Sequence, residues 1–366
     1  MKQPSSGWQH RMNELRWGIL GTAGIARKNW RAIRDSGNST VAAVASRDVD
    51  RARAFIQECQ AAAPFEVVPT ARGSYDALLA SPDVEAVYLP LPTGLRKEWV
   101  LRAAAAGKHV ICEKPCGIQL ADVQEMVDAC RRNRVQFMDG VMFMHNPRLK
   151  RMREILDDGK SVGGVKRITS MFAFRGFEDF FTGNIRLQAG LEPTGCLGDL
   201  GWYCLRLALW TMNWQLPREV VGRILSQGGS RGSPTPVPTE FSGELMFNED
   251  VSASFYSSFL VEKQQWAYIS GTRGQLHLSD FVHAESEHEP VFEVNEAVVR
   301  VKCCDCAGSH DDSRRWAQEA CLFRNFAIQV RSGTLNDDWP MMALKTQQVM
   351  DACFASARNG SRVVAL

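Results

Sequence analysis

The chain has 366 residues, of which 45% are hydrophobic and 23% are charged, values that are ordinary for a folded protein of about two domains. Its formal net charge is +2 and it has no run of like charges, which argues against a nucleic-acid or membrane-surface partner and favours a small-molecule ligand. No stretch reaches the ~18 consecutive apolar residues of a spanning helix, so we expect no membrane segment and a cytoplasmic location.

In residues 1–140, short apolar runs alternate with helical patterns, which is the order of βαβ units. The pattern predicts strands at Arg16–Leu20, Thr40–Ala45, Val84–Leu89, His109–Cys112 and Gln136–Asp139. It predicts helices from Gly24 and at Asp48–Gln60, Tyr75–Leu79, Leu95–Ala106 and Leu120–Asn133. We therefore expect an α/β domain with a doubly wound parallel sheet of the Rossmann type.

The period changes after Met144, where a helix at Pro147–Asp157 precedes segments that alternate as in an antiparallel sheet. Those segments are Gly164–Ala173, Phe241–Met246, Ser252–Phe259, Gln265–Gly271 and Gly274–Leu278. A surface loop is predicted at Gly228–Pro238, and helices at Gln318–Val330 and Met341–Arg358 are expected to cover the sheet. Residues 1–144 are thus expected to form the Rossmann domain, and residues 145–366 an α+β domain with an open, mostly antiparallel sheet for substrate binding and oligomerisation.

The eleven cysteines lack the regular spacing of a disulfide framework, so reduced thiols are expected. Cys303, Cys304 and Cys306 lie close to His310 in the sequence. A second paired-cysteine element is missing, however, and zinc usually takes four spaced ligands. We therefore predict no metal site.

The stretch Trp17–Ala26 has the sequence form of a dinucleotide-binding site: a strand, a glycine turn and the start of a helix. Gly21, Ala23 and Ala26 occupy the positions that take glycine or another small residue in such turns. Gly24 is expected to supply backbone freedom that alanine lacks at the neighbouring position. The alternative is that this turn is only a connector.

A basic residue about 20 positions after the turn suits the 2′-phosphate of NADP, and an acidic one suits the 2′-hydroxyl of NAD. This chain has Ser46-Arg47-Asp48 at the end of its second predicted strand. Arginine binds a phosphate through a forked, charge-assisted pair, so NADP(H) is favoured over NAD(H). The alternative is that Asp48 caps the next helix and neutralises Arg47 on a solvated corner.

Two further motifs carry side chains suited to proton and hydride transfer. Glu113-Lys114-Pro115 follows a buried strand, and open α/β sheets bind their ligands at that end of a strand. Pro115 fixes a turn and permits a cis peptide. Asp199 and Tyr203 are four residues apart, which places both on one face of a helix. The alternatives are a surface lysine at a strand end, and an aspartate that caps a helix beside a packed tyrosine.

Together these motifs resemble the Gfo/Idh/MocA oxidoreductase family along nearly the whole chain. The resemblance rests on Trp17–Thr22, Ala45–Asp48, Tyr88–Thr93, Gly107–Pro115, Asn184–Arg186 and Gly195–Tyr203. Residues Met138–Arg148 look especially like the uncharacterised plant and bacterial members near the dihydrodiol and NADP-dependent xylose dehydrogenases. The resemblance implies a Rossmann domain, an open-sheet domain and a site between them.

The resemblance also implies roles for individual residues. Tyr203 would exchange a proton with the reacting oxygen, Lys114 would orient that oxygen and lower the pKa of the phenol, and Asp199 would bind a substrate hydroxyl. Cofactor contacts are implied for Gly21, Thr22, Ala23, Gly24, Ile25, Ser46, Arg47, Leu91, Pro92, Thr93, Arg96, Glu113 and Lys114. Substrate contacts are implied for Arg186, Asp199 and Trp202, although Arg186 is equally compatible with a bond to a carbonyl group.

At residue 96 this chain departs from the family, which commonly carries a histidine that shapes the pocket near the cofactor ribose. Arg96 is compatible with an anionic substrate, a shifted cofactor or weakened catalysis. His145 is expected to brace the hinge between the domains.

The sequence thus predicts an NADP(H)-dependent dehydrogenase or reductase that acts on the CH–OH group of a sugar, cyclic polyol or keto-sugar. By the resemblance, we expect a homodimer or a higher homo-oligomer. Two alternatives remain, a cofactor-binding regulator without turnover and a glycosidase that uses nicotinamide transiently.

Overall fold

The computed structural model describes residues 14–248, 250–284, 289–301 and 317–366. The strands of its first sheet are β1 (Leu15–Leu20), β2 (Ser39–Ala45), β3 (Thr70–Arg72), β4 (Ala86–Leu89), β5 (His109–Cys112) and β6 (Phe137–Asp139). The helices that follow these strands are α1 (Gly24–Asp35), α2 (Val49–Ala62), α3 (Tyr75–Leu79), α4 (Thr93–Ala105) and α5 (Leu120–Arg132). The six strands pair in parallel, in the order β3-β2-β1-β4-β5-β6.

This order is that of a Rossmann sheet, and it confirms the doubly wound prediction. Every residue of β4 is buried, because helices cover both faces of a parallel sheet. The strand order reverses between β1 and β4, and open α/β sheets bind ligands at the carboxyl ends of the strands beside such a reversal. Among the strands of this sheet, the sequence did not predict β3, which has three residues.

Within the described residues, the second sheet has nine strands. They are β7 (Val165–Ala173), β8 (Glu219–Gly228), β9 (Val237–Met246), β10 (Ser252–Ser258), β11 (Ala267–Gly271), β12 (Gln275–Leu278), β13 (Val291–Val294), β14 (Ala297–Arg300) and β15 (Val364–Ala365). Their order is β14-β13-β12-β11-β7-β10-β9-β8-β15, and only β7 and β10 pair in parallel among these described strands. The prediction of a mostly antiparallel sheet is confirmed.

After β6, the described part of the chain also contains helices and short helical turns. The α-helices are α6 (Arg148–Asp157), α7 (Glu178–Gly183), α8 (Trp202–Thr211), α9 (Gln318–Arg331) and α10 (Asp338–Arg358). Two 3₁₀ turns lie at Met142–His145 and Ile185–Leu187, and a π-helical turn at Leu197–Gly201 leads directly into α8.

Helix α9 does not cover the second sheet, so that prediction is wrong. Its rings Phe323 and Phe326 pack 5.2 and 5.3 Å from the Trp17 ring of β1, measured between centroids. An amphipathic helix needs an apolar partner, and here the Rossmann domain supplies it. Helix α10 does contact the second sheet, where the Ser356 hydroxyl accepts a hydrogen bond from the Gly222 amide of β8. The C-terminal helices therefore join the two halves of the molecule.

The chain passes from the first sheet to the second between Asp139 and Val165, and the exact boundary at residues 144 and 145 stays a prediction. None of the helices in the described ranges is long and apolar enough to span a membrane. The described residues hold no cluster of side chains suited to a metal ion. The sequence cluster Cys303, Cys304, Cys306 and His310 lies outside the described residues.

Candidate active site

A cavity of about 400 Å³ lies at the carboxyl ends of β1, β4 and β5 and reaches Phe172 of the second sheet. Among the predicted site residues, those that line it are Ala23, Gly24, Ile25, Leu91, Arg96, Glu113, Lys114, Arg186, Asp199 and Tyr203. The others, which lie outside its lining, are Gly21, Thr22, Ser46, Arg47, Pro92, Thr93 and Trp202. The structure thus gathers residues from both halves of the sequence around one space.

The turn after β1 has the backbone of a dinucleotide-binding turn. Gly21 has a φ of 108°, which residues with a Cβ rarely adopt. Ala23 has φ −65° and ψ 157° and gives α1 no side-chain cap, so the first amides of the helix remain available to an anion. Ala26 is fully buried where α1 meets the sheet. The expectation for Gly24 is wrong, because this residue begins the helix without a positive φ.

A basic corner follows β2. Ser46 is buried there, whereas Arg47 is exposed. Burial raises the pKa of the Tyr75 phenol, and the positive charges of Arg47 and Arg51 oppose that rise. Both guanidinium groups therefore lie near the Tyr75 ring. Asp48 does cap α2, as the alternative had it, but among the described residues it forms no ion pair with Arg47. The corner therefore keeps its positive charge.

Lys114 joins the turn after β5 to the π-helical turn. Its Nζ donates to the Asp199 carbonyl oxygen at 2.6 Å and to Asp199 Oδ1 at 2.8 Å. The Arg186 Nε donates to the other carboxylate oxygen at 2.7 Å. Burial alone would raise the pKa of the Asp199 carboxyl, but Arg186 and Lys114 hold it well below its usual range. The peptide between Lys114 and Pro115 is cis. Asp199 is thus a permanent anion between two cations.

Tyr203 faces the same space from the first turn of α8. The Lys114 Nζ lies 4.7 Å from the centroid of its ring, and its hydroxyl lies 3.6 Å from the Met142 sulfur. Burial, followed by the negative charges of Glu113 and Asp199, raises the pKa of the phenol well above its usual value. Burial thus sets the direction of the shift, and the lowering expected of Lys114 stays a prediction. The shift favours the neutral phenol.

A buried hydrogen-bond chain that the sequence did not predict ends at Glu113. Asn29 of α1 donates to the Tyr88 hydroxyl at 2.6 Å, and that hydroxyl donates to Glu113 Oε1 at 2.7 Å. The backbone amide of Lys114 donates to the other oxygen of Glu113 at 3.2 Å. These bonds fix the carboxylate at the wall of the cavity, where its remaining lone pairs are free to accept a hydrogen bond from a ligand.

The far wall of the cavity is aromatic. The Phe172 ring lies 5.4 Å from the ring of Tyr203 and 5.9 Å from that of His283, measured between centroids. Burial lowers the pKa of His283 to about 4, so its imidazole is neutral near pH 7. Phe174 lines the same wall. Phe172 lies in β7 and Phe174 directly follows its last residue, so the two are two positions apart, and this alternation in the sequence is the signal that would have found them.

The predicted substrate contact of Trp202 is not supported, and the predicted cofactor contact of Arg96 stays a prediction. Trp202 is fully buried, with its ring 5.8 Å from the Arg206 guanidinium carbon, so it belongs to the core rather than to the substrate wall. Arg96 lines the cavity, but it is buried and directs its N–H groups at protein oxygens of Leu91, Thr93 and Pro115. Its guanidinium group is therefore engaged by the protein itself.

Comparisons with known proteins agree with this geometry. Residues 15–141 match the model of the GFO_IDH_MocA oxidoreductase family, NAD-binding Rossmann fold, and residues 149–277 match the GFO/IDH/MocA C-terminal domain. The chain is 31% identical over 362 residues to D-xylose 1-dehydrogenase (NADP(+)) 2 of Haloferax volcanii, covering 95% of this chain and 99% of that protein. It is 33% identical to trans-1,2-dihydrobenzene-1,2-diol dehydrogenase of Mus musculus, covering 72% of this chain and 74% of that one.

The fold is also similar to a solved 3-ketoreductase from Actinomadura kijaniata in complex with NADP and TDP-benzene. The two structures superpose with a TM-score of 0.77 at 26% identity, covering 96% of this chain and 98% of the other. Both domain matches and the full-length relatives point to the same assignment. The chain belongs to the GFO/IDH/MocA family of oxidoreductases.

Proposed function

We propose that the protein is an NADP(H)-dependent oxidoreductase that transfers a hydride between nicotinamide and a ring carbon of a sugar, cyclic polyol or related keto-sugar. The observation that carries this proposal is a single cavity that joins the turn after β1 to Lys114, Asp199 and Tyr203. The uncapped amides of α1 fit a pyrophosphate, and the exposed Arg47 fits a 2′-phosphate. The relatives named above that use or bind NADP support the same cofactor.

A ring with vicinal hydroxyls suits the lining of the cavity. Asp199 and Arg186 offer acceptors and donors for hydroxyl groups on one side. Phe172 and Phe174 offer an apolar surface for the C–H face of a ring on the other. Sugars and cyclic polyols have both kinds of surface.

Lys114 is proposed to hold the reacting oxygen of the substrate. Its ammonium group has three N–H donors, and the carbonyl and carboxylate of Asp199 take two of them. The third remains for a ligand in the cavity. Asp199 thereby fixes the direction of the lysine, while its own free lone pairs bind a neighbouring hydroxyl.

Tyr203 is proposed to give its proton to that oxygen. Because the pKa of its phenol is raised, the group is protonated at neutral pH and suited to act as a general acid. When bound, the nicotinamide would supply the hydride in this direction. Oxidation would require the phenol to lose its proton against the raised pKa, so we propose that the free protein is prepared for reduction.

The test is a fluorescence titration with NADPH and NADH, followed by absorbance assays with aldoses, inositols, 1,5-anhydrofructose and dihydrodiols in both directions. We expect tighter binding of NADPH and turnover of at least one substrate. Tight binding with no net redox change on the whole panel would favour a regulator or a nicotinamide-dependent glycosidase. Failure to bind either cofactor would contradict the proposal.

We also propose that the protein acts as a homodimer or larger homo-oligomer in the cytoplasm. Leu225, Tyr268 and Val298 are exposed on β8, β11 and β14, and such apolar side chains on one open sheet suit an interface between copies. Light scattering of the purified protein would reveal a mass above 40.8 kDa if this is right.

A further inference from the structure

Arg96 is a buried cation whose contacts join two loops of the cofactor domain. Its Nε donates to the Leu91 carbonyl at 2.7 Å, and its Nη1 donates to the Thr93 hydroxyl at 2.9 Å. The same Nη1 donates to the Pro115 carbonyl, in the turn that carries Lys114. Only 6% of the residue is exposed. Arg96 therefore ties the loop after β4 to the lysine turn after β5.

Glu192 reaches the same loop from the substrate half of the chain. The Thr93 amide donates to Glu192 Oε1 at 2.9 Å, and the Thr93 hydroxyl donates to Oε2 at 2.6 Å. Thr93 is the first residue of α4, and the preceding Pro92 has no side-chain cap to offer. A carboxylate at this position binds an orphan amide and complements the positive end of the helix dipole.

The backbones of the two halves also touch at this point. The Gly94 amide donates to the Leu191 carbonyl at 2.9 Å. A Cβ on residue 94 would lie 2.8 Å from the carbonyl oxygen of Gly190, so only glycine permits the approach. The segment around Glu192 is thus seated directly on the start of α4.

The Thr93 hydroxyl stands between the two charges. It accepts from Arg96 and donates to Glu192, so one directional chain of bonds runs from the cation to the carboxylate. Arg96 is buried and Glu192 is partly buried, and each balances the other across a single hydroxyl. Loss of this hydroxyl would leave both charged groups without their shared partner.

Along the sequence, Glu192 lies between Arg186 and Asp199, and Pro115 follows Lys114. On one side of the cavity, the ion pair between Lys114 and Asp199 joins the two halves, and Arg186 pairs with the same carboxylate. We propose that Arg96, Thr93 and Glu192 close it on the other side, as an interdomain clasp that positions Lys114 against the substrate segment 185–195. They are positioning residues, and their effect on turnover rests on the proposed function.

The test compares Thr93→Val, which removes only the hydroxyl, with Thr93→Ser, which restores it. Arg96→Met is matched by Arg102→Met on the same helix, where the arginine is exposed and pairs with Asp76. Each variant is assayed for kcat, KM, NADPH affinity and thermal unfolding. Hydrogen exchange of the Thr93 and Gly94 amides is followed in parallel, because this readout needs no substrate.

We expect Thr93→Val and Arg96→Met each to lower kcat about tenfold, and the double variant to lose about tenfold rather than a hundredfold, since both act through one bond chain. We expect faster exchange of the Thr93 and Gly94 amides in both variants, and wild-type values in Thr93→Ser and Arg102→Met. If no substrate turns over, the proposed function fails and the exchange data alone decide the clasp.

Two results would overturn the clasp. One is unchanged amide exchange and unchanged kcat in Thr93→Val. The other is an Arg96→Met variant that changes only the affinity for an anionic substrate or cofactor, with normal exchange, since this would make Arg96 an anion-binding residue. A variant that unfolds is replaced by Glu192→Gln, which keeps the side-chain shape and one acceptor oxygen.

Discussion

The Lys114 ammonium group binds Asp199 twice, through the carboxylate at 2.8 Å and through the backbone carbonyl at 2.6 Å. This double contact joins a turn of the Rossmann domain to the segment that carries Tyr203. It holds the charge of the lysine 4.7 Å from the centroid of the Tyr203 ring. The pair therefore orients the lysine beside the tyrosine.

Replacement of Lys114 by methionine removes the group proposed to hold the reacting oxygen. We expect kcat to fall by about 10²- to 10⁴-fold, the usual contribution of a positioned catalytic group. NADPH affinity should change little by comparison. The matched control is Lys97→Met, an exposed lysine that pairs with Asp122 and should leave kcat unchanged. Wild-type turnover in Lys114→Met would contradict the proposed role.

The exposed Arg47 leads to a prediction about the selectivity for NADPH over NADH. In Arg47→Asp, the new carboxylate should repel a 2′-phosphate and tolerate a 2′-hydroxyl. We expect NADPH affinity to fall by about 10- to 100-fold, as for loss of a charge-assisted bond, with a much smaller effect on NADH. Arg53→Asp, on the exposed face of α2, serves as the control. An equal loss for both cofactors would make Arg47 a structural residue.

The lowered pKa of His145 predicts that the folded protein loses stability in acid. Burial, followed by the charge of Arg206, lowers the pKa of its imidazole to about 4 in the folded protein. The unfolded chain, with a histidine pKa of about 6.5, binds the proton first, so stability is full above pH 6.5 and decreases toward pH 4. Because His145 is partly exposed, solvent reduces the loss in the free energy of unfolding below the roughly 3 kcal/mol that the full shift would give.

Denaturant unfolding of wild type and His145→Asn between pH 7 and pH 4 measures this loss directly. The variant should show a shallower decrease than the wild type. His283, whose pKa is also lowered to about 4, keeps part of the slope in every case. Identical slopes for wild type and His145→Asn would refute the assignment.

The sequence predicted those parts of the site that lie in short contiguous motifs. Lys114 directly follows a buried strand, and Asp199 and Tyr203 share one helical segment, so local pattern is enough to bring them to the cavity. Tyr88 and Asn29 are 59 residues apart, and Thr93 and Glu192 are 99 apart. Contacts of that kind depend on how the elements pack, and no local pattern encodes them.

The packing of distant elements also decides the features of the fold and of the electrostatics that the sequence did not predict. The periodicity of α9 predicts an apolar face but does not say which sheet it covers, and the structure places it against Trp17. Strand β3 has three residues, which is too short to show the alternation of buried and exposed residues that identifies a strand. The upward shift of the Tyr203 pKa comes first from burial, which no sequence pattern shows, and then from the charges of Glu113 and Asp199.

The central claim is that Tyr203 supplies the proton in an NADPH-dependent reduction, and the Tyr203→Phe variant tests it most directly. NADPH affinity and kcat are measured for this variant, for wild type and for Tyr268→Phe, which removes a hydroxyl from the exposed face of β11. We predict unchanged NADPH affinity in all three proteins and a kcat lowered about 10²- to 10⁴-fold only in Tyr203→Phe. Full turnover in Tyr203→Phe would contradict the account.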